Sequence, residues 1–197
     1  MSERPAKVQP IAPAAGMRAV REALPLRTER LVLRTLAPSD IDAVRGYRNA
    51  PGQRRWTYSR DQTEAELMAW TAGGAPVFLR DGDAVQLGIE HEGRLIGDIM
   101  VRITSLAARQ VELGWMVALE AQGKGFATEA AAAALELALA IGAHRVTAQL
   151  DDENVASRRV AERIGMSVEG RFVDDDINPA TGTFGTSLFM ALRRAEH

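Results

Sequence analysis

Cysteine is absent from all 197 residues of the chain, which excludes disulfides, thiolate metal sites and a cysteine acyl-enzyme. Histidine is nearly as scarce. His91, His144 and His197 are scattered with no metal-site spacing, so no metal is expected. Long apolar runs are missing too. The richest, Ala130 to Gly142, contains Glu136, so no segment has the length and character of a membrane span. The N-terminal stretch lacks the continuous apolar core of a signal peptide, and a cytosolic location is expected. An excess of one charge is also lacking. A formal net charge of −2 offers no electrostatic case for nucleic acid or a membrane surface.

What is present reads as an ordinary globular chain, with 46% hydrophobic and 25% charged residues, long enough for one full core and not comfortably for two. Residues 1–24 are rich in Ala and Pro and read as a flexible lead-in; residues 25–197 read as a single domain. Arg30 to Leu36 alternates as a strand does, and Pro38-Ser39-Asp40 then starts a helix through Tyr47. Thr63 to Trp70 reads as a second helix, with Thr63 and Glu66 at capping-box spacing. Val85 to His91 and Arg94 to Ile103 read as strands paired around Glu92-Gly93. Further strands are expected at Val111 to Leu119, Arg145 to Leu150, Ser167 to Val173 and Thr186 to Leu192. Helices are expected at Ala127 to Ile141 and Val155 to Ile164.

The segment Gln122-Gly123-Lys124-Gly125-Phe126-Ala127-Thr128-Glu129 carries the most chemistry. It leads from a buried strand directly into an Ala-rich helix, so unpaired backbone N–H groups face the positive end of a helix dipole. That arrangement suits a phosphate or pyrophosphate. Gly123 and Gly125 remove side chains that would hold an anion away. A P-loop would need Ser or Thr after Lys124, and a dinucleotide fingerprint would need Gly or Ala where Thr128 stands. The spacing Gln122-x-x-Gly125-x-Ala127 resembles the Q/R-x-x-G-x-G/A motif of the GNAT superfamily of N-acetyltransferases, and the stretch from Val111 to Glu129 is similar to the RimJ/RimL-type branch. An ordinary glycine turn capping a helix is the plainer reading of the loop.

A second motif follows about thirty residues on. Asn154-Val155-Ala156-Ser157, then Gly165-Met166, resembles the N-x-x-S…G-F signature of the same branch, with Met166 where Phe is usual. Asn154 is also an excellent helix N-cap in its own right.

The resemblance implies an α/β (mixed α+β) GNAT fold. Its sheet is central, mixed and mostly antiparallel, with about seven strands whose fourth and fifth splay apart, flanked by about four helices. It implies acetyl-CoA as acyl donor, with the pantetheine arm filling the splay. The strand at Leu113-Gly114-Trp115-Met116 suits a bulge that frees backbone groups. Met116 and Val117 would then offer main-chain contacts, while Trp115 is either core or contact. Gln122, Gly123, Lys124, Gly125, Phe126, Ala127 and Thr128 would hold the pyrophosphate, with Lys124 otherwise facing water. Asn154 would bond the pantetheine amide.

Attack on a thioester needs a neutral amine, whereas a primary ammonium has a pKa of about 8 to 10. The resemblance places Ser157 beside the CoA sulfur, as hydrogen-bond donor to the leaving thiolate; otherwise it is a first-turn serine satisfying helix backbone. Two carboxylates are candidates for the base. Glu112 lies on the strand where several GNAT enzymes keep a glutamate, and Asp176 lies in a place where RimL-type enzymes orient a water. Each is otherwise a solvated surface group. The run Asp174-Asp175-Asp176 leaves the second choice open by a position or two, and would also attract a cationic amine.

Acceptor specificity is expected from the two early helices and their connection. Tyr47, Trp56 and Tyr58 there interleave with Arg45, Arg48, Arg54, Arg55 and Arg60. These make either an acceptor wall or a solvated basic face. The implied activity is acetyl transfer from acetyl-CoA to a primary amine, a protein N-terminus or a small molecule, within a ternary complex. The competing reading is a non-catalytic acyl-CoA-binding or sensory module on the same fold. A donor with a longer acyl chain is a further option. Relatives often dimerise, and no heptad or apolar stripe here demands a homodimer.

Overall fold

The computed structural model describes residues 9–12, 20, 22–57, 59–72 and 80–194. Among them, eight strands form one sheet: β1 Leu26–Arg27, β2 Val32–Thr35, β3 Ala84–His91, β4 Arg94–Ser105, β5 Gln110–Val117, β6 Arg145–Asp151, β7 Ser167–Asn178 and β8 Thr183–Arg193. The strand order is β1-β2-β3-β4-β5-β6-β8-β7. Every pair is antiparallel except β5 with β6. Five α-helices flank it: α1 Ile41–Arg48, α2 Arg54–Thr57, α3 Glu64–Thr71, α4 Phe126–Ala140 and α5 Val155–Arg163. The mixed, mostly antiparallel α/β architecture is the expected one. The additional elements are two-residue β1 and four-residue α2, both too short to leave a periodic signal.

The faces of the sheet divide by strand period. Leu87 and Ile89, Ile99, Val101 and Ile103, and Val111 and Leu113 recur every second residue on β3, β4 and β5. All are fully buried in the main core. The small side chains Ala130, Ala131, Ala134 and Ala138 let α4 approach that face closely. On the other face a smaller cluster joins Leu36, Val44, Tyr47, Leu67 and Met116. Each completely buried Leu or Ile contributes about 1.5–3 kcal/mol relative to exposure.

Local signals resolve largely as their chemistry requires. Thr63 Oγ1 accepts from the Glu66 amide at 3.3 Å while the Thr63 amide donates to Glu66 Oε2 at 2.8 Å, a complete capping box. Glu92 (φ +50°) and Gly93 (φ +75°) make the two-residue turn between β3 and β4 with both residues left-handed. Two points concern the ends of the chain. The C-terminal strands are longer than read: β7 runs on through Asp176 to Asn178, and β8 begins at Thr183. A bulge between Phe172 and Asp176 absorbs the polar run, which hides strand character from a simple alternation test. The second concerns the lead-in. Its described residues include Ile11 and Val20, both buried in the main core, with the Ile11 amide donating to the Leu106 carbonyl at 3.0 Å. At these positions the segment is packed against the domain. Residues 1–8, 13–19 and 21 lie outside the described residues.

Candidate active site

The parallel pairing of β5 and β6 covers only Gln110 with Arg145, Val111 with Val146 and Glu112 with Thr147. Beyond Glu112 the two strands diverge, although β5 continues to Val117 and β6 to Asp151. On its other side β5 stays in unbroken register with β4 from Val111 to Val117. The bulge expected at Leu113 to Met116 is therefore not present, and β5 is freed by the departure of β6 instead. Register also decides which groups are free. The Ala118 amide donates to the Ile96 carbonyl at 2.8 Å. By antiparallel alternation, Met116 and Gly114 turn their main-chain groups toward β4, and Val117 and Trp115 turn theirs toward the gap. Met116 thus faces β4 with its backbone, and its side chain joins the smaller core cluster. Val117 and Trp115 are the residues with main chain in the splay, while the Trp115 side chain packs against the main core.

At the mouth of the gap the two sheet partners come unusually close. A Cβ on Gly97 would lie 2.2 Å from the Met116 carbonyl oxygen and 2.9 Å from Val117 Cα, so only glycine fits opposite the end of β5. The Val117 carbonyl, lacking a strand partner, accepts from Gln53 Nε2 and from Gln122 Nε2, each at 2.9 Å. Gln122 is thus a brace for β5, with its side chain committed to the strand. Gln53 was not legible in sequence, where it is one more polar residue after a Pro-Gly turn.

The loop after β5 has the form expected of an anion cradle. Gly123 (φ +75°) and Gly125 (φ +82°) are both left-handed, and Gly125 is the N-cap of α4. Ramp-like approach to Gly123 is open, since a Cβ there would meet nothing within 4 Å. The first helical bond is from the Glu129 amide to the Gly125 carbonyl at 3.0 Å. The amides of Phe126, Ala127 and Thr128 therefore have no intrahelical acceptor. Lys124 Nζ bonds the Glu120 carbonyl at 3.0 Å and so ties the loop to itself.

Arg30, which sequence reading missed, anchors this loop. Its Nη1 donates to the Lys124 carbonyl at 3.0 Å, its Nε to Glu129 Oε2 at 2.8 Å, and its guanidinium lies 4.7 Å from the Phe126 ring centroid. Burial alone would raise the Glu129 pKa. Hydrogen bonds from the Thr28 hydroxyl and from the Arg30 amide and guanidinium outweigh it, and the carboxyl is held below its ordinary value. The Arg30 charge also offsets a carboxylate that would otherwise repel an anion in the first turn of α4.

Across the gap, Asn154 caps α5 by accepting from the Ser157 amide at 3.1 Å. Ser157 is half-buried in the first turn, and among the described residues nothing engages its hydroxyl. The two carboxylate candidates fare differently. Glu112 lies at the last paired position before the splay and accepts from Arg102 Nη2 at 2.6 Å. Asp176 is exposed on β7, with Oδ1 bonded to the Ile177 amide at 2.7 Å. Asp175 is used by the Ser187 amide at 3.0 Å. Of the three consecutive aspartates it is Asp174, left-handed at φ +54° within the bulge, that lines a cavity of about 310 Å³. Arg55, Asp152, Glu153 and Asn178 line the same cavity.

Of the residues expected to form an acceptor wall, Tyr47 and Trp56 are described. Tyr47 is buried, donating to Asp98 Oδ2 at 2.6 Å, and burial together with the Asp98 charge pushes its pKa far upward. Trp56 lies under Arg55, whose guanidinium is 4.1 Å from the ring centroid. Tyr58 lies outside the described residues. Each of the five arginines has an acidic partner: Arg45 with Asp42 and Glu64, Arg48 with Asp98, Arg54 with Asp61, Arg55 with Glu153, and Arg60 with Glu66. Short α2 still reaches the far side of the gap, because its Arg55 carbonyl accepts from Asn178 Nδ2 at 2.6 Å.

This geometry can be set beside known proteins. Residues 30–167 match the family model described as Acetyltransferase (GNAT) domain. An uncharacterized N-acetyltransferase, YnaD, of Bacillus subtilis is 32% identical over 155 residues, covering 75% of this chain and 85% of the relative. A RimL ribosomal L7/L12 α-N-protein acetyltransferase, solved with coenzyme A, superposes with a TM-score of 0.72 at 17% identity over 84% of this chain and 95% of its own. The spermidine N-acetyltransferase of Vibrio cholerae, solved with CoA and spermine, gives 0.70 at 20% identity over 84% and 96%. With a splayed β5 and β6, a left-handed glycine loop opening α4, and a family match across most of its length, the chain belongs to the GNAT acetyltransferase family.

Proposed function

We propose that this acetyltransferase moves an acetyl group from acetyl-CoA directly to a primary amine within a ternary complex. The observation that carries this reading is the divergence of β5 from β6 next to the free amides of α4. It joins an extended slot bordered by main chain to an anion cradle at one end. A pantetheine arm and its pyrophosphate have that combination of shape and charge. The bound donor supplies an acetyl thioester.

The chain's own groups then have defined tasks. Val117 and Trp115 present main-chain groups along the slot. With its carbonyl occupied by Gln53 and Gln122, Val117 retains only an N–H to offer. A donor in that position suits the oxygen of a tetrahedral centre, where charge develops during attack. The Phe126, Ala127 and Thr128 amides, with Gly123 and Gly125, take the pyrophosphate. Asn154 Nδ2 is left over by the cap and serves the pantetheine amide. The amine nitrogen forms its bond to the thioester carbonyl carbon, the carbon–sulfur bond breaks, and the Ser157 hydroxyl hydrogen-bonds the departing thiolate. The amine proton leaves through a carboxylate. Glu112 and Asp176 are the candidates on this reading, and Asp174 joins them because it lines the cavity beside α5. Asp152 and Glu153 are paired with Arg171 and Arg55, which line the same cavity, so its preference for a cationic acceptor rests on Asp174, which pairs with no cation among the described residues. A polyamine and a protein N-terminus both meet that description.

The test is release of free thiol from acetyl-CoA with a panel of polyamines, small amines and N-terminal peptides. Turnover with at least one amine, abolished in the absence of amine, is expected. Tight CoA binding without turnover anywhere on a broad panel would favour a non-catalytic binding module. Glu112→Gln, Asp174→Asn and Asp176→Asn are then assayed separately, and unchanged amine-dependent turnover in all three would sink the carboxylate route.

A further inference from the structure

Gln53 belongs to neither motif, yet its side chain is where the two sides of the gap meet. It precedes α2, and its carbonyl accepts from the Trp56 amide at 3.1 Å, so it forms the start of that helix. Its side chain is buried and reaches across to β5, with Nε2 donating to the Val117 carbonyl. Its Oε1 lies 3.4 Å from Gln122 Nε2, which bonds the same carbonyl. One acceptor oxygen is thereby held by two amides, one from the loop that cradles an anion and one from the segment facing the acceptor cavity.

The position of that oxygen matters. Val117 is the last residue of β5, at the end of the stretch that has lost β6 as a partner. A buried carbonyl without a strand partner needs other donors. Here both donors are side chains from outside the sheet. Two residues on, in the first turn of the same short α2, the Arg55 carbonyl accepts from Asn178 and the Arg55 guanidinium pairs with Glu153 beside the Asn154 cap. Any change in the path of β5 on filling the slot is therefore passed through Gln53 to α2, and from α2 to the residues lining the cavity.

We propose that Gln53 is a positioning residue that couples occupancy of the donor slot to the order of the acceptor-side segment, residues 50–57. This rests on the reading of the slot as a CoA site. The coupling needs no contact between Gln53 and either substrate.

Hydrogen exchange with and without CoA, on wild type and Gln53→Met, tests it. Methionine keeps the length of the side chain and removes both polar atoms of its amide. In the wild type, CoA is expected to slow exchange at residues 115–128 and at residues 50–57. In Gln53→Met the slowing at 115–128 is retained, which also reports that the variant is folded, and the slowing at 50–57 is lost. In steady-state assays the variant is expected to raise KM for the amine roughly fivefold, the scale of one neutral hydrogen bond, while the Kd for CoA from titration calorimetry changes less than twofold. Gln53→Asn, which keeps the amide but falls short of Val117, should behave as Gln53→Met does, and serves if the methionine variant does not fold. Equal protection of residues 50–57 in wild type and variants overturns the coupling and leaves the cofactor reading intact. Absence of protection at 115–128 in the wild type overturns the cofactor reading, and the coupling with it.

Discussion

The two sides of the β5–β6 gap are built from different materials. On the proposed donor side the groups open to a ligand are main chain: the free edge of β5, the amides of Phe126, Ala127 and Thr128, and two left-handed glycines. On the proposed acceptor side they are side chains, with Arg55, Asp152, Glu153, Asp174 and Asn178 around one cavity. Main-chain donors suit a ligand whose scaffold does not vary, and they demand little of the sequence beyond glycine where a Cβ is excluded or φ is positive. Side-chain groups can be exchanged without disturbing the fold, which suits a ligand that differs between relatives. A spermidine acetyltransferase and a ribosomal-protein acetyltransferase can therefore share this fold. Loss of a donor-side feature should thus weaken CoA binding, and loss of an acceptor-side feature should change amine dependence alone.

The strongest challenge to that division is Asp98, on which both sides rest. It is 1% exposed and pairs across the ladder with Met116. It accepts from Tyr47 and from Arg48 Nε and Nη2 of α1 at 2.6, 3.1 and 2.7 Å, and from the Gln86 amide. Asp98→Ala would leave the mostly buried Arg48 charge unpaired and is expected to cost about 3–5 kcal/mol in urea unfolding. It should impair CoA and amine binding together.

Gly97→Ala comes next, because its Cβ would collide with the β5 backbone at Met116 and Val117. About 1–3 kcal/mol of stability should be lost. Calorimetry should show a fall in CoA affinity larger than the rise in amine KM that displacement of Val117 passes on through Gln53. A larger effect on amine KM than on CoA affinity would break the comparison. Ser157→Ala is expected to lower kcat by roughly ten- to a hundredfold, at the low end of what a positioned proton donor supplies. CoA affinity should not move, and unchanged kcat would remove Ser157 from the chemistry. Asp174→Asn should raise KM for a cationic amine about threefold at low salt, an effect that fades as ionic strength rises, and leave the Kd for CoA alone.

The smallest expected effect is acid lability, present on both sides. The Glu66 carboxyl of the capping box is held at about 2 by the Thr63 amide and hydroxyl and by Arg60, against an ordinary value of 4.5. Glu129 on the donor side is likewise depressed. A group with its folded-state pKa lowered adds stability that is complete above the unfolded value and is lost as pH falls through the folded one. Unfolding midpoints should therefore be level from pH 7 to about 5 and decline below about 4.5. Glu66→Gln and Glu129→Gln should each flatten that decline. A decline of unaltered steepness in both variants would remove these carboxyls as its source.

The elements differ in how far they could be read along the chain, for physical reasons. The capping box, the Glu92–Gly93 turn and the α4 entry are set by residues within a few positions of each other, so local sequence carries them. The β7 extension was missed because a bulge takes Asp174 and Asp175 out of alternation. Tyr47 had the look of a binding-site aromatic, and only its bond to Asp98, 51 positions away, makes it core. Arg30 and Gln53 were invisible for the same reason, since their partners lie 99 and 64 positions along the chain. Gly97 offered a partial signal, being a glycine inside a strand otherwise rich in Leu, Ile and Val.

Sequence by itself determined the family of this protein, its fold and the glycine loop that opens α4. Glycines at φ-sensitive positions, a helix start and strand alternation are local demands that any chain with this fold and task must meet. Tertiary structure alone decided which backbone groups of β5 face the gap, because that depends on the register with β4 and on where β6 departs. It alone decided that five arginines are neutralised, that Asp174 and not Asp176 faces the cavity, and that one glutamine joins the donor strand to the acceptor side. Each of those depends on pairings between distant residues, and a pairing has no address in the local sequence.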